Sequence, residues 1–137
     1  MKILTYILFI LLIVAPACNK LKKTNRLLSG TWEIMSYRTL NLSGMTEYHN
    51  VSGSITFGNS TDSTFTYSED FQTGDSAVHQ VGIGKFQSES GHEYTIDITA
   101  PIQKTFHDCS IKILTKDDLK LEHRDNQYTH IFVLKND

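Results

Sequence analysis

From Gly30 onward the chain is built of short runs in which apolar and polar residues alternate, separated by turn residues. Eight runs stand out: Thr31–Leu40, Val51–Gly58, Ser63–Ser68, Ala77–Gln87, His92–Thr99, Thr105–Leu114, Leu119–Arg124 and Tyr128–Leu134. Alternation with a period of two marks strands with one buried face, and no long run has the 3.6-residue period of an amphipathic helix. Strands spaced this regularly predict an all-β sandwich or barrel. The connections alternate in kind. Asn59–Asp62, Ser88–Gly91 and Thr115–Asp118 are short turns, whereas Asn41–Asn50 and Glu69–Ser76 are longer. In an eight-stranded antiparallel up-and-down barrel successive connections fall on opposite ends, so the short turns close one end and the longer loops surround an open one.

Parity along each strand then assigns the inward face. Ile55 and Phe57, Phe65 and Tyr67, Val81 and Ile83, Tyr94, Ile96 and Ile98, Cys109, Ile111 and Ile113, and Leu119 and Leu121 are expected inside. Thr56, Thr66, Glu93, Thr95, Asp97, Lys112, Lys120 and Glu122 are expected outside. Gly82 and Gly84 are read as outward positions where the strand bends. The last strand is apolar on both faces, so its alternation sets no register.

The first eighteen residues follow a different pattern. Met1 and Lys2 precede a mostly apolar stretch, Ile3–Val14, and Ala15-Pro16-Ala17 leads into Cys18. Twelve helical residues rise about 18 Å, short of the ~30 Å hydrocarbon core, so residues 1–17 read as an export signal rather than a membrane span. Two processing readings stand: an ordinary A-x-A cleavage site, or a cysteine that is acylated after cleavage before it. Residues 18–28 are then the modified cysteine and a polar, basic tether containing Lys20, Lys22, Lys23 and Arg26, and residues 29–137 form one barrel domain. The basic stretch reads equally as a solvated spacer or as a segment drawn to anionic lipid. With Cys18 acylated, Cys109 is left alone as a small buried residue; with Cys18 free in an oxidising compartment, a Cys18–Cys109 disulfide is open. The net charge of −2 gives no footprint for nucleic acid.

Ala15-Pro16-Ala17-Cys18 resembles the lipobox of bacterial lipoproteins, and Gly30-Thr31-Trp32 resembles the Gly-x-Trp opening of lipocalins. Together they are similar to the lipocalin-like lipoproteins of Bacteroidota. That resemblance implies a barrel on a lipid anchor in the bacterial cell envelope, at the outer membrane with periplasmic exposure, because lysines rather than acidic residues follow Cys18. It also implies that Trp32 plugs the closed end behind Gly30. The arginine that stacks on this tryptophan in lipocalins is replaced here by Lys135.

The remaining chemistry gathers at the predicted open end. His49, His79, His107, His123 and His130 map there with Arg38, while His92 maps to the closed end. His79, His107 and His123 share the expected inward parity. A small apolar or amphipathic ligand is therefore expected in the barrel and at its mouth, touching Arg38, Phe57, Tyr67, His79, Tyr94, His107, His123 and His130. The gathered histidines leave three readings open, a cationic rim gripping an anionic head group, a metal or haem site, and a chance gathering with no specific role; no H-x-x-x-H or H-E-x-x-H spacing occurs. Catalytic motifs are also missing: there is no Gly-rich phosphate loop, no G-x-S-x-G and no C-x-x-C, so no enzyme and no cofactor are expected. The bulky inward set leaves a second reading, a barrel filled by its own side chains that acts as an interaction module for another envelope protein.

Overall fold

The structure, a computed structural model, describes residues 20–59, 63–88, 90–100 and 105–136, so the export signal and Cys18 lie outside the described residues. A helix over residues 20–28, α1, precedes nine strands among the described residues. These are β1 (Gly30–Asn41), β2 (Gly44–Tyr48), β3 (Val51–Phe57), β4 (Thr64–Thr73), β5 (Ser76–Phe86), β6 (Glu93–Ala100), β7 (Thr105–Leu114), β8 (Asp118–Arg124) and β9 (Thr129–Asn136). Every pairing is antiparallel, each of β3 to β8 pairs with the next, and β9 returns to β1. The sheet is thus a closed, eight-stranded up-and-down barrel, as the alternation predicts.

The ninth strand arises because β2 and β3 are two halves of one barrel strand. The first half of β1 pairs with β3 and the second half with β2, with registers Trp32↔Ile55 and Tyr37↔Tyr48. The strand breaks at His49-Asn50, where Asn50 adopts a left-handed φ of 58°. Asn is among the few residues that tolerate this conformation. The expected long loops at the open end are therefore mostly strand. Asn41–Asn50 is largely a hairpin turning at Leu42-Ser43, and β4 and β5 run on to a tight turn at Gly74-Asp75.

Three local features decide which side chains face inward. A bulge in β1 opposite β9, between Ile34 and Ser36, shifts the parity, so Trp32 and Ile34 are followed inside by Tyr37 and Thr39. A second irregularity between Ile111 and Ile113 turns Ile113 outward, where it is 49% exposed, against the expected alternation. In β5 the whole assignment is reversed. Phe65 and Tyr67 lie directly opposite Gly84 and Gly82, and it is the glycines that face inward while Ile83 is 55% exposed. A Cβ on Gly84 would occupy the space of the Phe65 ring. The missing side chain is thus where an aromatic ring is housed, which hydrophobic alternation cannot register because glycine carries no hydrophobic signal. Gly84→Val is expected to destabilise the barrel by about 1–3 kcal/mol through overpacking. Phe65→Leu in the same chain should restore part of that loss in thermal unfolding; strictly additive effects would contradict the shared space.

The closed end is solid. Trp32, Phe57, Tyr94, Leu119, Leu121 and Leu134 are all at most 1% exposed, with Phe65 and Phe86 beside them. Their rings meet edge to face, as in the Phe57–Tyr94 and Phe65–Tyr94 pairs at 6.2 and 5.5 Å, a geometry that adds to area burial. The segment expected to be a tether is α1, and it covers this end. Leu21, Thr24 and Leu28 recur at helical spacing and form its inner side. The Thr24 hydroxyl donates to the Ser90 carbonyl at 2.8 Å, and Trp32 Nε1 donates to the Leu28 carbonyl at 2.8 Å. Trp32 is therefore the plug that the Gly-Thr-Trp opening implies, but its polar edge is tied to α1. Lys135 pairs across from Glu33 and is exposed on the outer face, so parity directs it away from the inward Trp32.

Candidate functional site in the open half of the barrel

Above the aromatic plug the interior changes character. Tyr67 and Glu69 are two residues apart on β4 and so share its inner face, continued by Phe71. The Tyr67 hydroxyl donates to Glu69 Oε2 at 2.6 Å. Across the barrel the Tyr94 hydroxyl and His123 Nε2 share a hydrogen bond of 2.9 Å, and the Tyr67 and His123 rings lie 5.8 Å apart. His107 stands next to both remaining imidazoles, with ring centroids 6.4 Å from His123 and 6.2 Å from His130.

At the rim, the Tyr37 hydroxyl meets His130 Nδ1 at 2.7 Å, and His130 Nε2 meets Asp125 Oδ2 at 2.9 Å. An ionised carboxylate can only accept, so Nε2 carries the proton, and in the neutral ring Nδ1 accepts from Tyr37. The other Asp125 oxygen accepts from the backbone N–H groups of Gln127 and Tyr128. Burial works to raise the Asp125 carboxyl, but the bonds from His130 and these amides hold it below the ordinary value. Stacked against this chain, Tyr37 packs between Tyr48 and Phe132 at 4.9 Å from each.

Two titratable groups in this half stand out. Glu69 is 6% exposed, and among the described residues the Tyr67 hydroxyl is the donor that reaches it. Burial pushes its carboxyl up to about 7, the Tyr67 bond only partly opposing this. His107 has a buried Nδ1 with no hydrogen-bond partner among the described residues, and burial followed by the charge of His130 holds its ring below the usual imidazole value. His123, 3% exposed, is pushed down to about 3 by burial and then by the other two histidines. Near neutral pH His107 and His123 are therefore neutral, and the buried acid is partly ionised with no cation beside it among the described residues.

The structure sorts the expected site residues into two sets. Tyr67, Tyr94, His107, His123 and His130 come together in the open half, although Tyr94 reaches it only through its hydroxyl. Phe57 belongs to the closed-end plug, well packed against Phe65 and Tyr67. Arg38 and His79 do not join the interior. The β1 bulge turns Arg38 outward, where it pairs with Glu47 at 3.1 Å. The reversed parity of β5 turns His79 outward, 3.6 Å from Asp70. No cationic rim is formed by these two, and with it the support for an anionic head group goes. Among the described residues no group of three His, Cys, Asp or Glu side chains is placed to hold a metal ion. Glu69, Tyr37 and Asp125 were missed. Glu69 lay in a presumed loop, and its signal was the continued alternation Phe65-Tyr67-Glu69-Phe71, in which one acid occupies an inward position.

No family profile matches the sequence, and no curated protein is significantly similar to it. Among solved structures the chain is similar to a redesigned β-barrel, with a TM-score of 0.60 and 15% identity over 83% of this chain and 95% of the other. It is also similar to a de novo designed, fluorescence-activating β-barrel, with a TM-score of 0.56 and 14% identity over 83% of this chain and 97% of the other. At this identity the likeness establishes the fold: a small, closed eight-stranded barrel, compatible with the lipocalin-like build that Gly30-Thr31-Trp32 implies.

Proposed function

We propose that the protein is a lipid-anchored, lipocalin-like binding protein of the bacterial cell envelope that takes a small amphipathic molecule into the open half of its barrel. One observation carries this reading: Glu69 is buried inside the barrel, and among the described residues it has one neutral donor and no cation beside it. A purely structural core would fill that position with an apolar side chain, since burying an ionisable group without an opposite charge is costly. Such groups are candidates for a binding site. The ligand's polar end is a hydrogen-bond donor or amine directed at Glu69, with His107 Nδ1 as a second point of contact. Its apolar part replaces contacts among Phe71, Ile98 and Phe132 near the mouth. A barrel of this size either fills with side chains or holds one small ligand, and here the closed half is filled while the polar open half is where a ligand is accommodated.

Binding rather than catalysis fits the same groups. Tyr94 and His123 bond to each other, Tyr37, His130 and Asp125 form a closed chain, and burial raises the Cys109 thiol, so it stays protonated. The anchor at Cys18 and the placement at the outer membrane belong to this proposal, resting on the lipobox-like residues. Native mass spectrometry of the chain purified from its own cells is expected to show a bound small molecule that decylamine displaces. The same adduct should be lost in Glu69→Ala. A bare mass from the parent chain, together with no uptake of decylamine at millimolar concentration, would overturn the reading.

A further inference from the structure

The outer side of α1 carries a second, unassigned surface. Its inner stripe of Leu21, Thr24 and Leu28 is fixed against the closed end, which leaves Lys22, Lys23 and Arg26 exposed on the far side, with Lys20 exposed on the flank at its first turn. Among the described residues none of the four is in an ion pair. The helix cannot swing away freely, because Thr24 is bonded to the Ser90 carbonyl and Trp32 to the Leu28 carbonyl. A Cβ on Gly91 would sit only 3.0 Å from Leu21 and Thr24, so the fit between α1 and the β5–β6 turn is close. The helix is already formed at Lys20, two residues after Cys18.

We infer that the basic outer face of α1 rests on an anionic lipid surface, so that the barrel stands on its closed end with its open end directed away from the membrane. Cationic side chains held near an anionic leaflet are attracted within about a Debye length, and a rigid helix presents Lys22, Lys23 and Arg26 at once. An acyl group on Cys18 would place this face, rather than the mouth, against the bilayer. Strands of about ten residues tilted by roughly 40° make a barrel about 25 Å tall. The Arg124–Thr129 turn at the open end is therefore about that far from the headgroups, and a ligand enters from the aqueous side. The orientation rests on the acylation proposed above, whereas the basic face does not.

The test uses the full processed chain in vesicles of phosphatidylethanolamine and phosphatidylglycerol, with a fluorophore on Lys116→Cys at the closed end or Asn126→Cys at the open end. Cys109 is buried and does not compete for the label. A headgroup-borne quencher is expected to quench the label at 116 several-fold more than the label at 126. Replacing Lys22, Lys23 and Arg26 by Gln should narrow that difference. Equal quenching at the two positions, or stronger quenching at 126, overturns the inference. Should the intact mass show no acyl group, the anchor reading fails by itself, and the unlabelled chain is floated with vesicles instead. Salt-sensitive binding to phosphatidylglycerol but not phosphatidylcholine, lost in the triple variant, retains the basic face; no binding removes it.

Discussion

Glu69→Gln is expected to change how stability depends on pH, and to stabilise the protein at pH 8. In the folded chain the Glu69 carboxyl titrates at about 7, above its ordinary value of 4.5. Between those values the native state holds a proton that the unfolded chain releases. The contribution of Glu69 is full below about 4.5 and is lost as pH rises through 7. His123 works in the opposite direction. Its ring titrates at about 3 in the fold against an ordinary 6.5, so its contribution is present above 6.5 and is lost as pH falls through 3. Each group alone gives a slope of about 1.4 kcal/mol per pH unit. Between about 4.5 and 6.5 the slopes oppose, and the parent protein should be nearly level there, with His107 adding to the His123 side.

Removing the acid leaves only the histidine slope. Chemical denaturation of Glu69→Gln should then show stability falling from about pH 6.5 downward, where the parent holds level. At pH 8, where the parent carries a buried carboxylate, the variant should be more stable by at most roughly 3 kcal/mol. The complementary change, His123→Gln, keeps a partner for Tyr94 and should leave stability falling as pH rises from 4.5 to 7. Parallel pH profiles for parent and Glu69→Gln would show that the acid is not held in the environment described.

Trp32→Ala is expected to have the largest effect of any single core substitution. Trp32 is 1% exposed at the closed end, and truncating a buried aromatic side chain typically costs about 3–5 kcal/mol. Here the indole N–H also donates to the Leu28 carbonyl, so its loss frees the last turn of α1 and leaves that carbonyl without its side-chain donor. The chain should therefore lose stability by two routes, the cavity and the release of the helix. Hydrogen exchange would separate them: α1 amides should lose protection even under conditions where Trp32→Ala remains folded. Trp32→Phe fills most of the volume but lacks the donor, and should loosen α1 with a smaller global cost. Undiminished protection of α1 in both variants would contradict the link between plug and helix.

The barrel was legible because most of its walls alternate over at least part of their length, and because closing turns such as Thr115–Asp118 carry residues that bond their own backbone. What escaped the sequence was anything that breaks simple parity. The bulge near Met35 exchanged Arg38 for Tyr37 on the inner face, and the glycines of β5 exchanged Val81 and Ile83 for empty space filled from the neighbouring strand. Inward parity carried His79 into the predicted site, and Arg38 entered it by its position at the open end of the first strand. His107 and His123 lie inside as their parity implies, because no irregularity separates each from its buried neighbour, whereas His130 was placed only by its position at the open end of the last strand. Glu69 was hidden by polarity: Glu69-Asp70 reads as the start of a loop until the register carries β4 through to Thr73. The helix α1 was hidden for the opposite reason, since its inner stripe is short and includes a threonine and its outer side is dense in lysine.

The most direct test of the account follows the Glu69 carboxyl and the His107 ring by NMR while the folded chain is titrated with decylamine. Binding in the open half predicts saturable shifts at both residues and a fall in the Glu69 titration midpoint from about 7, because an adjacent ammonium favours the ionised acid. Decanoate, placed beside an acid rather than a cation, should not produce that fall. Resonances of Glu69 and His107 unchanged at saturating amine, or shifts confined to the outer surface around Asn126 and Gln127, would contradict it.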